Sequence, residues 1–89
     1  MDIQEKIAKI FYENIAELLQ LDQAQVTAQP ELRLRGDLGM ESMQYFSLIG
    51  ALETELDIEL QYSEFRSEAS SIAAGIEYIL KIYNTQQHE

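Results

Sequence analysis

The chain has 89 residues, 46% of them apolar, and carries sixteen acids against six bases for a net charge of −10. That length makes one domain, spanning residues 1–89, near the small end of what folds on a single core, and the apolar content argues against disorder despite the charge. With no cysteine there is no disulfide framework, thiolate metal site or cysteine nucleophile, so packing must supply the stability.

The first element is a helix. Ile3, Ile7, Ile10, Phe11, Ile15, Leu18 and Leu19 recur at three- and four-residue steps, while Glu5, Lys6, Lys9, Glu13 and Glu17 fall on the other side. Its polar face is mixed rather than basic, which favours a core-facing helix over one lying on a membrane. From about Asp22 to Glu41 the periodicity disappears. Loops of this length are uncommon in compact domains unless they work or pack on themselves. Val26, Leu32, Leu34 and Leu38 are spaced to anchor it, Gln29-Pro30 marks a turn, and Gly36 and Gly39 bracket Asp37. The spacing does not say which glycine uses its conformational freedom.

Asp37-Leu38-Gly39-Met40-Glu41-Ser42-Met43 then sets one serine between a glycine-containing turn and an apolar run. Ser42 is expected at or next to a helix N-terminus, where unpaired backbone N–H groups and the helix dipole favour an oxygen acceptor or an attached anion. The bland role for such a serine is capping. The helix it opens is expected over about Ser42 to Leu56, with Phe46, Ile49, Leu52 and Leu56 as the buried stripe and Leu48 at its margin. Gly50 in its interior costs roughly 1 kcal/mol relative to Ala, so either a close packing contact or an altered docking surface is implied. A short third helix follows at Gln61 to Arg66, with Tyr62 and Phe65 inward. Ser70 or Ser71 caps a last helix whose apolar face is Ile72, Ile76, Ile79, Leu80 and Tyr83. Gly75 weakens that helix unless another backbone approaches closely. The ordered core is expected over about residues 2–83, and Asn84 to Glu89, including the only histidine, His88, reads as a polar tail.

The pattern resembles the acyl carrier protein family. In that family a serine preceded by Asp-Leu-Gly, one variable residue and an acid, and followed by Leu or Met, carries a 4′-phosphopantetheine arm. The match runs from Asp37-Leu38-Gly39 and Glu41-Ser42-Met43 through Ala51-Leu52-Glu53 and Asp57-Ile58-Glu59-Leu60 to Gly75-Ile76-Glu77-Tyr78-Ile79, most of the domain. The resemblance implies an all-α fold, a small four-helix bundle with a long first loop and a short third helix. It also implies a non-catalytic carrier, with Ser42 modified by a phosphopantetheinyl transferase that uses coenzyme A. The thiol of the arm would carry acyl intermediates as thioesters for a fatty-acid-like or polyketide-type pathway.

Asp37, Glu41, Met43, Gln44, Gly50 and Glu53 are the expected partner contacts. Phe46, Ile49, Leu52, Ile76 and Ile79 are the expected lining of an acyl-chain cavity. Glu41 stands where the family usually has aspartate, and Gln44, Tyr45 and Ser47 stand where housekeeping fatty-acid carriers place acids. These departures favour a carrier dedicated to one pathway. Two alternatives stay open: a carrier of peptidyl, aryl or aminoacyl cargo in nonribosomal-type synthesis, and an acidic helical adaptor without an arm. Met40, in place of the second glycine common in the nonribosomal class, favours the acyl class.

Residues 36–68 hold Asp37, Glu41, Glu53, Glu55, Asp57, Glu59, Glu64 and Glu68 against Arg66 alone. A surface of one sign repels nucleic acid and anionic membrane but steers docking onto basic patches of acyl-loading, condensing or acyl-transfer enzymes. A monomer is expected. Core-facing positions supply no histidine, cysteine or lysine cluster for catalysis, and no stretch has the alternating acids of an EF-hand, so neither an active site nor a metal site is expected. The N-terminus lacks a basic region followed by an apolar core, and no run approaches eighteen apolar residues. A cytoplasmic location is the expectation.

Overall fold

The computed structural model describes residues 2–87. Five helices follow in order: α1 (Ile3–Leu19), α2 (Gln23–Thr27), α3 (Ser42–Leu56), α4 (Tyr62–Glu68) and α5 (Ile72–Gln87). Among the described residues there is no strand, only an isolated antiparallel bridge between Arg33 and Ser71. The four expected helices are present, α4 being the short one, and the fold is an all-α bundle.

α1 packs against both α3 and α5, and α4 packs between α3 and α5. Ile7, Ile10, Phe11 and Ile15 of α1 meet Leu48, Leu52 and Leu56 of α3, Phe65 of α4, and Ile72, Ile76 and Ile79 of α5 in one buried cluster. Among the described residues no charged side chain lies inside it. α1 starts where its sequence says it should: the Asp2 side chain accepts from the Glu5 N–H at 2.8 Å, satisfying one of the donors that a helix start leaves open.

The loop after α1 differs from expectation in holding a short helix. Asp22 caps α2 by accepting from the Ala24 N–H at 3.0 Å, and Val26 is the residue that α2 buries. Five residues are too few for periodicity to show. Beyond α2 the chain is stitched to the start of α5: Ile72 N–H donates to the Leu32 carbonyl at 3.0 Å, Ala73 N–H to the Pro30 carbonyl at 2.9 Å, and Leu34 N–H to the Ser70 carbonyl at 3.2 Å. The loop thereby satisfies open donors of α5, while Ser71 Oγ accepts from the Ala74 N–H at 3.1 Å. Ser71, rather than Ser70, is the serine that caps. Of the expected anchors, Val26 and Leu34 are buried, and Leu32 and Leu38 are half-buried; Met40 is a buried anchor that periodicity did not mark.

Residues 84–87 also differ from expectation, because α5 continues through them. The physical reason is Gln86, whose amide both accepts from the Glu59 N–H and donates to the Glu59 carbonyl at 2.9 Å. That pairing ties the last turns of α5 to the segment after α3. His88 lies outside the described residues.

Candidate functional site

Gly39 is the glycine whose freedom the turn needs. It sits at φ 68°, in the left-handed region, just before the buried Met40. The turn is closed behind it by Asp37, whose Oδ2 accepts from the Arg33 N–H at 2.8 Å and lies 3.6 Å from Arg33 Nε. Met40 N–H then donates to the Leu34 carbonyl at 2.9 Å, and the chain enters α3. Ser42 is exposed as the first residue of the helix; the cap is Glu41. The Glu41 N–H donates to Gln44 Oε1 at 2.8 Å, which is one arm of a capping box. Ser42 is thus spared the capping role, and its hydroxyl faces outward at the positive end of α3.

α3 buries Ile49, Leu52 and Leu56 as expected but differs from expectation at Phe46 and Leu48. Tyr45, Leu48, Ile49, Leu52 and Leu56 are buried. Leu48 has no exposed surface and lies at the centre of the stripe rather than its margin, and Phe46, expected inside, is 59% exposed. The stripe Tyr45, Leu48, Leu52 and Leu56 obeys the helical spacing as well as the expected one did, and packing chose between them. Tyr45 lies edge-on to Phe65, with ring centroids 6.4 Å apart, which draws it inward. Phe46 instead stacks on Tyr62 of α4 at 4.3 Å. Ile49, Leu52, Ile76 and Ile79 are core as expected, whereas Phe46 cannot line an interior cavity with them.

The surface around Ser42 therefore combines three kinds of group. Met43, 81% exposed, and Phe46 supply apolar area. Tyr62 supplies a phenol: a hydrogen bond from Ser42 is the largest influence holding it below its ordinary pKa, with Arg66 and Arg35 adding to the effect against the opposing influence of desolvation. Arg35 and Arg66 supply positive charge, lining with Ser42, Gly39, Met40 and Glu41 a cleft of about 410 Å³. Arg66 Nη1 donates to the Tyr62 hydroxyl at 3.1 Å, and its guanidinium stands over the Tyr45 ring at 4.8 Å.

A protein-family model described as the phosphopantetheine attachment site matches residues 9–79. The chain belongs to that family. It is a carrier protein, and the group it carries is covalent 4′-phosphopantetheine. Membership implies a phosphopantetheinyl transferase and acyl-handling enzymes as partners. No described helix is long and apolar enough to cross a membrane, and no group of three or more histidine, cysteine, aspartate or glutamate residues converges on a metal position among the described residues.

The structure distributes the expected partner residues of this carrier unevenly. Glu41, Ser42 and Met43 are contiguous and exposed. Asp37 spends one carboxylate oxygen on the turn, and Gln44 uses its amide on the cap. Glu53 lies farther along α3, where its Oε2 accepts from the Leu60 N–H at 2.9 Å and fixes the segment after the helix. Gly50 has no heavy atom within 4 Å of where a Cβ would sit, so the close-packing explanation fails and open surface remains.

Sequence reasoning missed the site roles of Arg35, Tyr62 and Arg66. A capping-box spacing, Glu41-x-x-Gln44, would have revealed the cap, and the i, i+4 spacing of Tyr62 and Arg66 their pairing. The turn in which Gly39 N–H donates to the Arg35 carbonyl at 3.1 Å sets Arg35 near Ser42, but nothing local could bring α4 there.

Proposed function

We propose that Ser42 is the residue that bears the arm, and that the protein shuttles acyl thioesters between enzymes of a fatty-acid-like or polyketide-type pathway. The observation that carries this reading is the exposed Ser42 at the first position of α3, held there by a cap built from Glu41 and Gln44 that does not use its hydroxyl. When attached, phosphopantetheine supplies a thiol that takes an acyl group as a thioester. The chain has no cysteine of its own to compete for that cargo.

The fit of the residues to the arm is chemical. A phosphodiester on Ser42 Oγ would meet the open N–H groups of the first turn of α3, its dipole, and the guanidiniums of Arg35 and Arg66. Each of these favours an anion. Met43 and Phe46 flank the serine with apolar surface that a partner enzyme can cover, and Glu41 and Asp37 lie on the approach from the loop. The helices bury Ile49, Leu52, Ile76 and Ile79 against one another, so an acyl chain would enter the bundle by parting side chains that are already packed. Each CH₂ buried there returns at most about 0.8 kcal/mol.

Intact-protein mass spectrometry after incubation with coenzyme A, Mg²⁺ and a broad-specificity transferase tests the reading. A gain of one phosphopantetheinyl group in the native chain, and none in Ser42→Ala, is the expected result. An equal gain in both proteins would move the attachment elsewhere. No gain in either, with transferases from the native host included, would leave the acidic adaptor as the better account.

A further inference from the structure

The chain has only three arginines: Arg35 and Arg66 line the cleft that holds Ser42, and Arg33 joins both of them in a second cleft. The first, described above, sets Arg35 and Arg66 against the serine. The second, of about 350 Å³, runs on between Arg33, Arg35, Arg66, Tyr45 and Ser70. Such concentration is unexpected in a chain of net charge −10 whose other bases lie elsewhere. Among the described residues the single ion pair is Arg33 with Asp37, so neither Arg35 nor Arg66 is ion-paired, although Glu41 borders the cleft they line. Two guanidiniums lining one cleft give it a positive potential that favours an anion held between them.

Arg66 is also held in place. Its Nη1 hydrogen-bonds Tyr62, and its guanidinium lies over the rings of Tyr45 at 4.8 Å and Tyr62 at 5.7 Å. Tyr62 is itself braced by the stacked Phe46. A guanidinium has five donors in a fixed fork, and immobilising it on aromatic faces lowers the entropy lost when the remaining donors engage an anion.

Resting on Ser42 as the attachment residue, we propose that Arg66 and Arg35 form a seat for the phosphodiester of the arm. The arm then leaves the serine along the cleft between the first loop and α4 instead of projecting freely from the end of α3. Arg66 is the preorganised half of the seat. Arg35, exposed on the loop, is the adjustable half. Tyr62 positions Arg66 and does not itself need to ionise. Glu41, which borders the same cleft, opposes the anion and keeps the seat weak enough for partner enzymes to draw the arm out.

The test uses the loaded protein and the phosphorus-31 NMR signal of its phosphodiester. The reference is a phosphopantetheinylated peptide spanning residues 37–47, which contains neither arginine. In the wild-type protein the signal should be displaced from that of the peptide and broader, and added salt should move it back. The double variant Arg35→Gln, Arg66→Gln should lose the displacement, and each single variant should lose part of it. A wild-type signal coincident with the peptide's, or one unmoved by either variant, overturns the seat. Should removal of Arg66 disturb the fold, as circular dichroism of the unloaded protein would reveal, Arg35→Gln and the charge-conserving Arg66→Lys decide by the same criterion. Arg66→Lys keeps a charge but loses the fork, so a signal that it leaves unmoved is inconsistent with the proposal. Failure of Ser42 to load overturns the attachment reading and the seat together, whereas loading with an unmoved phosphorus signal overturns the seat alone.

Discussion

Phe11 and Gly75 form one aromatic–glycine region of this bundle, and Phe46 and Gly50 form another. Phe11 has no exposed surface, and a Cβ on Gly75 would lie 2.8 Å from its ring and 3.2 Å from the Ala69 Cβ. Phe46 is 59% exposed, and a Cβ on Gly50 would meet nothing within 4 Å. The residue types match, yet the first pair closes the core where α1 crosses α5 and the second lies along the outward face of α3. Gly75 is needed because a ring approaches its helix. The group that approaches is a side chain, not the backbone expected from the sequence as the condition for a glycine here. Gly50 has no such excuse within the chain, which fits a surface kept for a partner.

Substitutions can break or sharpen this contrast. Phe11→Ala should cost most, about 3–5 kcal/mol by loss of burial and the cavity left behind, seen as a lowered midpoint in urea unfolding. Gly75→Ala sets an overpacking cost of about 1–3 kcal/mol against a helix-propensity gain of about 1 kcal/mol. Since the Phe11 ring is fully enclosed and cannot step aside, the cost should win and the midpoint should fall. Gly50→Ala lacks the clash and keeps only the gain, so it should stabilise by about 1 kcal/mol; a loss of stability there would abolish the contrast. Phe46→Ala should cost less than about 1 kcal/mol, because only an exposed stack on Tyr62 is lost. Its larger effect should be on processing by partner enzymes, measured as rate of loading at fixed transferase.

The smallest effect is electrostatic. Burial, then the hydrogen bond to Glu64, raises the Tyr78 pKa above its ordinary value of 10.0, whereas Ser42, Arg66 and Arg35 hold Tyr62 below it. In an ultraviolet pH titration, Tyr62→Phe should remove the earliest tyrosine phase and Tyr78→Phe the latest. Because the folded value for Tyr78 exceeds the unfolded one, its contribution to stability is complete below pH 10 and declines as pH rises past that point towards the folded value.

Much of the site could be read from residues near Ser42 in the chain. The glycine-bearing turn, the exposed serine and the helix after it follow from local backbone chemistry, in which a left-handed glycine, a cap and an apolar run each leave a sequence signature. The edge of the face that α3 buries could not be read in this way, although Ile49, Leu52 and Leu56 were. Tyr45, Leu48 and Leu52 satisfy helical spacing, and so do Phe46, Ile49 and Leu56, so the periodicity is degenerate by one residue. The position of Phe65 on α4 resolved it.

The sequence by itself determined the helical class, the four principal helices, the single candidate serine and the absence of any thiol, because these depend on composition and on contacts a few residues apart. Only the tertiary structure decided that the long loop holds α2 and caps α5, that Gln86 extends the last helix, that Phe46 faces outward, and that Arg35 and Arg66 meet at Ser42. The capping of α5, the pairing of Gln86 and the arrival of Arg66 each join residues distant in the chain, where the entropy of loop closure leaves no local pattern and packing selects the partner.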